Sequence, residues 1–316
     1  MLRPSRSAAL PLFWRLGRVA LLADDPAVLR LARSPLSRKW STRFYSAAGE
    51  FAGALKAEIP SWESDASSQQ DVVRAWRAGN SSLPAEVVRY WTRSSHAFTR
   101  IVLVDQLTAA AGVETLRDLR ADGWGGFAVL LSGLADDQVI ISAFNERLIE
   151  RYERNTPPLF PRLGELVSEL QQAPDPRLDQ IWRSTLRPEQ DAVLRLPDVA
   201  RPLGKYLRAR MAQYVVIGDP FGVLGLSADG QIVWAPLRLV SSSSTQWFDD
   251  VEMRQALSIG GQPAEPAEGM RFGPGGQLAA MCFPLAQEAV PAIARRQQSW
   301  LDLQGSAAAT TKAFQH

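Results

Sequence analysis

From Ser41 to Ile59 apolar side chains recur at Phe44, Ala48, Phe51, Ala52 and Leu55, the three-to-four-residue spacing of one helical face. A similar stripe, Leu12, Phe13, Leu16, Val19 and Ala20, runs beside Arg15 and Arg18 nearer the start. Between them Asp25-Pro26 has the form of an N-cap followed by proline at the first helical position, predicting a helix over Ala27–Arg33 that Ser34-Pro35 stops. Asp71-Val72-Val73-Arg74-Ala75-Trp76 returns fifteen residues later as Glu86-Val87-Val88-Arg89-Tyr90-Trp91, after Gly79-Asn80-Ser81-Ser82. Each copy sets a valine three residues before a tryptophan on one helical face, which predicts a helix pair with Trp76 and Trp91 in its core.

Ile101–Val104 is a short apolar run compatible with a strand or a turn of helix. Beyond Gly123-Trp124-Gly125-Gly126 the period shortens to two. Phe127–Leu131 and Val139–Phe144, on either side of Gly133-Leu134-Ala135-Asp136-Asp137, read as a β-hairpin. A charged helix from Asn145 to Arg154 and a proline-punctuated helical stretch over 161–213 follow. Tyr214–Ile217, Gly222–Leu226 and Gln231–Ala235 then form a second set of short strands, with a turn at Ala228-Asp229-Gly230. Another hairpin turn falls at 273–276, and a last amphipathic helix is predicted over 285–303. The pattern predicts an α+β fold with a helical N-terminal third, then two β-hairpin regions connected and packed by helices. Three segments are expected: a basic helical arm over 1–60, a helical region with the two-copy motif over 61–122, and an α+β domain over 123–316 with hairpins near 127–144 and 214–235.

Charge sharpens the first of these. The net charge of +2 conceals nine basic residues and two acids in residues 1–49, against 26 basic and 31 acidic residues in the rest. Arg15, Arg18, Arg30, Arg33, Arg38, Lys39 and Arg43 are therefore the candidate interaction residues. The segment has three readings: a folded arm, a mitochondrial presequence cut near Arg43-Phe44-Tyr45-Ser46, and a helix lying on a membrane surface. No apolar run approaches the ~18 residues of a membrane span.

The chemistry on offer is thin. One cysteine, Cys282, and two histidines, His96 and His316, exclude an intrachain disulfide and a Cys/His zinc cluster. The Asp pairs 24–25, 136–137 and 249–250 are the visible seeds of a carboxylate metal site, and each is as well explained by a turn or a helix start. Neither glycine-rich loop fits a nucleotide fingerprint. Cys282, inside an apolar run, is expected to be inert. No catalytic, cofactor or metal residue is expected.

Gly218-Asp219-Pro220-Phe221-Gly222-Val223-Leu224-Gly225-Leu226 with Asp229-Gly230 resembles the central hairpins of toxin-immunity proteins, which bind partners and perform no chemistry. With the absent motifs, this implies a soluble, cytoplasmic, non-catalytic protein-binding protein, an accessory subunit or an immunity-type partner. The alternatives are a hydrolase or nuclease built on carboxylates, and a subunit that meets nucleic acid through residues 1–49. A presequence would place the protein in the mitochondrial matrix instead.

Overall fold

The computed structural model describes residues 10–93, 98–105, 109–133, 137–156, 159–228, 230–240, 262–263, 269–274 and 276–286. In chain order the elements are β1 (Phe13–Arg15), β2 (Arg18–Ala23), α1 (Pro26–Ser37), β3 (Thr42–Tyr45), α2 (Ala48–Lys56), α3 (Ile59–Arg77), α4 (Leu83–Arg93) and β4 (Thr99–Asp105). There follow α5 (Ala109–Ala121), β5 (Phe127–Ser132), α6 (Asp137–Asn145), β6 (Arg151–Arg154), α7 (Leu159–Gln172), α8 (Pro176–Arg183), α9 (Pro188–Leu194) and α10 (Pro197–Arg208). The remainder is β7 (Gln213–Gly218), β8 (Phe221–Leu226), β9 (Ile232–Leu239), β10 (Gln262–Pro263), β11 (Met270–Phe272), β12 (Leu278–Ala280) and β13 (Phe283–Ala286). They divide between two compact units, one of Met1–Leu16, Asp65–Ser95 and Gln172–Asp302, the other of Gly17–Ser64, His96–Gln171 and Leu303–His316.

The second unit is a parallel sheet in the order β3-β2-β4-β5-β6. Its strands explain themselves by burial. Val19 to Leu22, Ile101 to Val104 and Ala128 to Leu131 are fully enclosed, so no polar alternation marks them. Successive residues serve opposite layers. Ala20, Leu22, Val102, Val104, Ala128 and Leu130 pack with Phe51 and Leu55 of α2 and with Val113, Leu116 and Leu119 of α5. Val19, Leu21, Ile101, Leu103, Val129 and Leu131 pack with Ala32 and Leu36 of α1 and with Leu163, Val167 and Leu170 of α7. Parallel neighbours need crossovers, and the helices between the strands supply them.

The expected α+β fold with a helical N-terminal third is therefore overturned: this part of the chain is α/β, and residues 13–45 hold three strands and one helix. Of the stripe Leu12, Phe13, Leu16, Val19 and Ala20, Phe13 lies in the short strand β1 and Val19 and Ala20 in β2; Leu12 precedes β1, and Leu16 and Gly17 separate the two strands. At Gly17 a Cβ would lie 2.1 Å from the Cβ of Arg100, so no side chain fits there. The Asp25 cap is present, Oδ1 accepting the Ala27 N–H at 2.7 Å, but α1 continues through Pro35 to Ser37. The expected hairpin over 127–144 is absent as well. β5 is its first strand, but 139–144 lies in α6, because a strand buried on both faces pairs with the next one, β6, in parallel. The charged helix expected over 145–154 is instead the end of α6 and the strand β6.

The first unit is antiparallel, its sheet running β1-β7-β8-β9-β12-β11, with β13 pairing β9 and β10. The meander β7–β8–β9 falls where the short apolar runs of residues 214–235 placed strands. Trp234 lies across Gly222, where a Cβ would come within 2.3 Å of the indole, so the central strand keeps its glycine to accommodate a ring. Both copies of the Val-Val-Arg-x-Trp motif are helical, in α3 and α4. Val73, Val87 and Trp91 are core residues there, and Trp76 and Val88 are partly buried against the same cluster. The helix expected over 285–303 begins in β13, and its residues beyond Ala286 lie outside the described residues.

Among the described residues no helix is long and apolar enough to cross a membrane.

Candidate functional site

In the second unit β2 is first in sequence. β3 adds to one side of it and β4 to the other, so the winding reverses between β2 and β4. Loops leaving the carboxyl ends of two such strands part in opposite directions and leave a crevice, the usual ligand position in open parallel sheets. The strands end there on a polar residue or lead directly into one. β2 ends at Ala23 and is followed by Asp24 and Asp25; β4 ends on Asp105; β5 ends on Ser132. Asn155 follows β6.

Backbone hydrogen bonds fix this edge. The Asp24 N–H donates to the Asp105 carbonyl at 3.1 Å, joining the ends of β2 and β4, and the Asn155 N–H donates to the Ser132 carbonyl at 3.0 Å, joining β5 to the turn after β6. The Tyr152 hydroxyl donates to the same Ser132 carbonyl at 3.2 Å. Asp25 is spent on capping α1. Asp105, 9% exposed, accepts one bond on its carboxylate, from Asn155 Nδ2 to Oδ2 at 2.9 Å. Its Oδ1 makes no hydrogen bond among the described residues. Burial pushes the Asp105 carboxyl up to about 6; the Asn155 bond opposes that rise, and the negative charges of Asp24 and Asp25 add to it. No arginine or lysine pairs with Asp105 among the described residues.

The edge is thus acidic and holds one half-engaged carboxylate. Among the described residues no three His, Cys, Asp or Glu side chains converge closely enough to hold an ion. Of the Asp pairs considered as seeds, 24–25 reaches this edge, Asp137 opens α6, and Asp136, Asp249 and Asp250 lie outside the described residues. So does His96.

The seven candidate interaction residues do not form one surface. In the first unit Arg15 is drawn inward onto Asp65. In the second, Arg18 and Arg43 meet on one carboxylate, Glu58, at 2.9 and 3.7 Å. Arg33 lies over the Phe44 ring at 4.8 Å, and Lys39 lies over Trp40 at 4.8 Å while its Nζ donates to Ser168 at 2.8 Å. Arg30 and Arg38 are exposed and make no ion pair among the described residues. The acidic edge went unread in the sequence because its members stand far apart in the chain. Its available signal was an apolar run that stops on a polar residue, repeated at Ala23-Asp24, Val104-Asp105 and Leu131-Ser132.

No protein-family model matches the chain, and no curated protein matches it in sequence. Solved structures do. The response regulator LqsR of Legionella pneumophila is 16% identical, with a TM-score of 0.57 over 90% of this chain and 91% of that one. The CheY-like response regulator receiver domain protein from Methanospirillum hungatei JF-1 is 16% identical, with a TM-score of 0.31 over 54% of this chain and 98% of its own. The chain therefore shares the fold of LqsR. This overturns the expectation of a non-catalytic accessory subunit or immunity-type partner. That reading rested on a hairpin resemblance of some two dozen residues, whereas the likeness to a response regulator extends over nearly the whole chain. The mitochondrial reading also lacks support, since residues 18–45 supply β2, α1 and β3, with β2 an interior strand of the sheet.

Proposed function

We propose that the protein is a signalling regulator whose second unit is a receiver, with Asp105 as the acceptor of a phosphoryl group. The observation that carries this reading is the position of Asp105. It ends an interior strand at the reversal of winding, one carboxylate oxygen held and the other open, beside Asp24 and Asp25. The fold shared with the response regulator LqsR supports it, as does the reversal of winding that the strand order places at this edge.

The chemistry asks little of the protein. An open carboxylate oxygen attacks the phosphorus of a donor such as acetyl phosphate; the new O–P bond forms as the donor's O–P bond breaks, and acetate leaves with the electron pair. Asp105 reacts as the carboxylate, so acceptance rises with pH through the region of about 6 where that group loses its proton. The second strand end contributes the Ser132 hydroxyl, a donor able to meet an incoming phosphoryl oxygen.

The test is incubation of the full chain with acetyl phosphate, with and without Mg²⁺, followed by intact-mass measurement. The expected result is the mass gain of one phosphoryl group, lost in Asp105→Asn and released by hydroxylamine as expected of an acyl phosphate. Absence of label under every condition, or label retained in Asp105→Asn, sinks the reading.

A further inference from the structure

Asn155 is fixed at both ends. Its backbone N–H is tied to the Ser132 carbonyl at 3.0 Å, and its side-chain amide reaches Asp105 Oδ2 at 2.9 Å. Ser132 itself is buried, and its carbonyl is held from a second direction by Tyr152 at 3.2 Å. The amide is therefore presented to Asp105 from a braced turn rather than from a free loop.

We infer that Asn155 is the positioning residue of this site: it occupies Oδ2 of Asp105, leaves Oδ1 as the oxygen that reacts, and keeps its hydrogen bond through the transfer. The inference rests on the reading of Asp105 as a phosphoryl acceptor. When Oδ1 forms its bond to phosphorus, Oδ2 becomes the carbonyl oxygen of the acyl phosphate. That oxygen still accepts the N–H of Asn155, so the side chain need not move between reactant and product. A neutral amide also differs from a cation in what it does to charge. It favours the ionised carboxylate by one hydrogen bond without cancelling its charge. Among the described residues the charged groups acting on Asp105 are Asp24 and Asp25, beyond β2; Ser132 from β5 and Asn155 from the turn after β6 are neutral.

Two substitutions separate positioning from a merely structural role. Asn155→Ala removes the donor and leaves Asp105 to burial and two like charges. Its labelling by acetyl phosphate should slow about tenfold, the worth of one hydrogen bond to a charged group. The pH midpoint of labelling should rise, by about one unit. Asn155→Lys puts a cation beside the same oxygen, and the midpoint should fall below that of the parent chain. Carboxyl NMR titration of Asp105 in the three full-length proteins should show the same opposite displacements. A structural lesion would slow both variants without moving the midpoints apart. If the parent chain is labelled on Asp105 but both variants titrate and react at its midpoint, the role of Asn155 is overturned and the acceptor reading stands. If the parent chain is not labelled, the acceptor reading falls, and this inference falls with it.

Discussion

Arg15 grips Asp65 with both arms of its guanidinium, Nη1 to Oδ1 at 3.2 Å and Nη2 to Oδ2 at 2.8 Å. The carboxylate is almost wholly buried, and two neutral groups complete its shell, one of them anchored in turn by a tryptophan. The Tyr90 hydroxyl donates to Oδ1 at 2.7 Å, Gln69 Nε2 donates to Oδ2 at 2.9 Å, and the Gln69 carbonyl accepts the Trp182 indole N–H at 2.7 Å. Strand β1 and helices α3, α4 and α8 of the first unit are joined through this one acid. Breaking a buried pair from one side strands the other charge, so Arg15→Ala should destabilise the fold by about 3–5 kcal/mol. Replacing both partners, Arg15→Met with Asp65→Leu, should cost markedly less than the sum of the single changes. Urea unfolding of the four proteins measures the coupling, and strictly additive losses would refute it.

The duplicated motif predicts unequal tryptophans. Trp91 is a core residue of α4, whereas Trp76 lies half-buried at the edge of the same cluster. Trp91→Ala should lower stability by about 3–5 kcal/mol, the cost of deleting a large buried ring, and Trp76→Ala by clearly less. Thermal melts of the two variants give the comparison; equal shifts, or a larger one for Trp76, would contradict the burial seen here.

Asp179 of α8 accepts the Leu12 N–H at 2.8 Å, holding the chain as it enters β1. Burial pushes its carboxyl from 3.8 up to about 6, against the bonds from the Leu12 and Phe13 N–H groups and the charge of Arg183. A raised carboxyl stabilises the fold while it is protonated. Its contribution is complete below the unfolded value near 4 and is lost as the pH rises through 6. Asp179→Asn keeps an oxygen for Leu12 and removes the titration. Relative to this variant the parent chain should lose on the order of 2 kcal/mol between pH 4 and pH 7. Chemical denaturation across that range tests it, and a difference that is flat with pH would rule it out.

Cys282 is 1% exposed, and its N–H donates to the Tyr206 hydroxyl at 3.1 Å. Burial pushes the thiol up to about 11, so little thiolate exists at neutral pH. A thiol reagent should label the native protein only as fast as it unfolds, and the denatured protein at once. Rapid labelling of the native state would place the thiol at the surface.

What the sequence disclosed follows burial. The meander of residues 213–239 could be read because its apolar runs are short and separated by turn residues. The Asp25-Pro26 start of α1 was legible for a different reason, a local hydrogen bond that needs no tertiary context. β2 was missed because a strand enclosed on both faces shows no alternation, and Leu12, Phe13, Leu16 and Val19 happen to fit a helical spacing; the same lack of alternation left Ile101–Val104 readable as a strand or as a turn of helix. α6 was mistaken for a strand on account of Val139, Ile140 and Ile141, β-branched residues that tertiary structure holds in a helix. At the acidic edge, Asp24, Asp105, Ser132 and Asn155 become neighbours only once the strands are ordered. No spacing along the chain announces that order, and Asn155 carries no motif of its own.

The alternation along β4 bears on how this gene can vary. Ile101 and Leu103 belong to one layer, Val102 and Val104 to the other, and Asp105 closes the strand at the edge. Exchanging one aliphatic residue for another there disturbs packing at a single point. Adding or deleting one codon between 101 and 104 instead swaps every later residue of the strand into the opposite layer and moves Asp105 off the end where Asn155 meets it. Length changes among descendants of this chain are therefore expected to fall in loops such as 78–82, and β4 to keep its length even where its side chains drift.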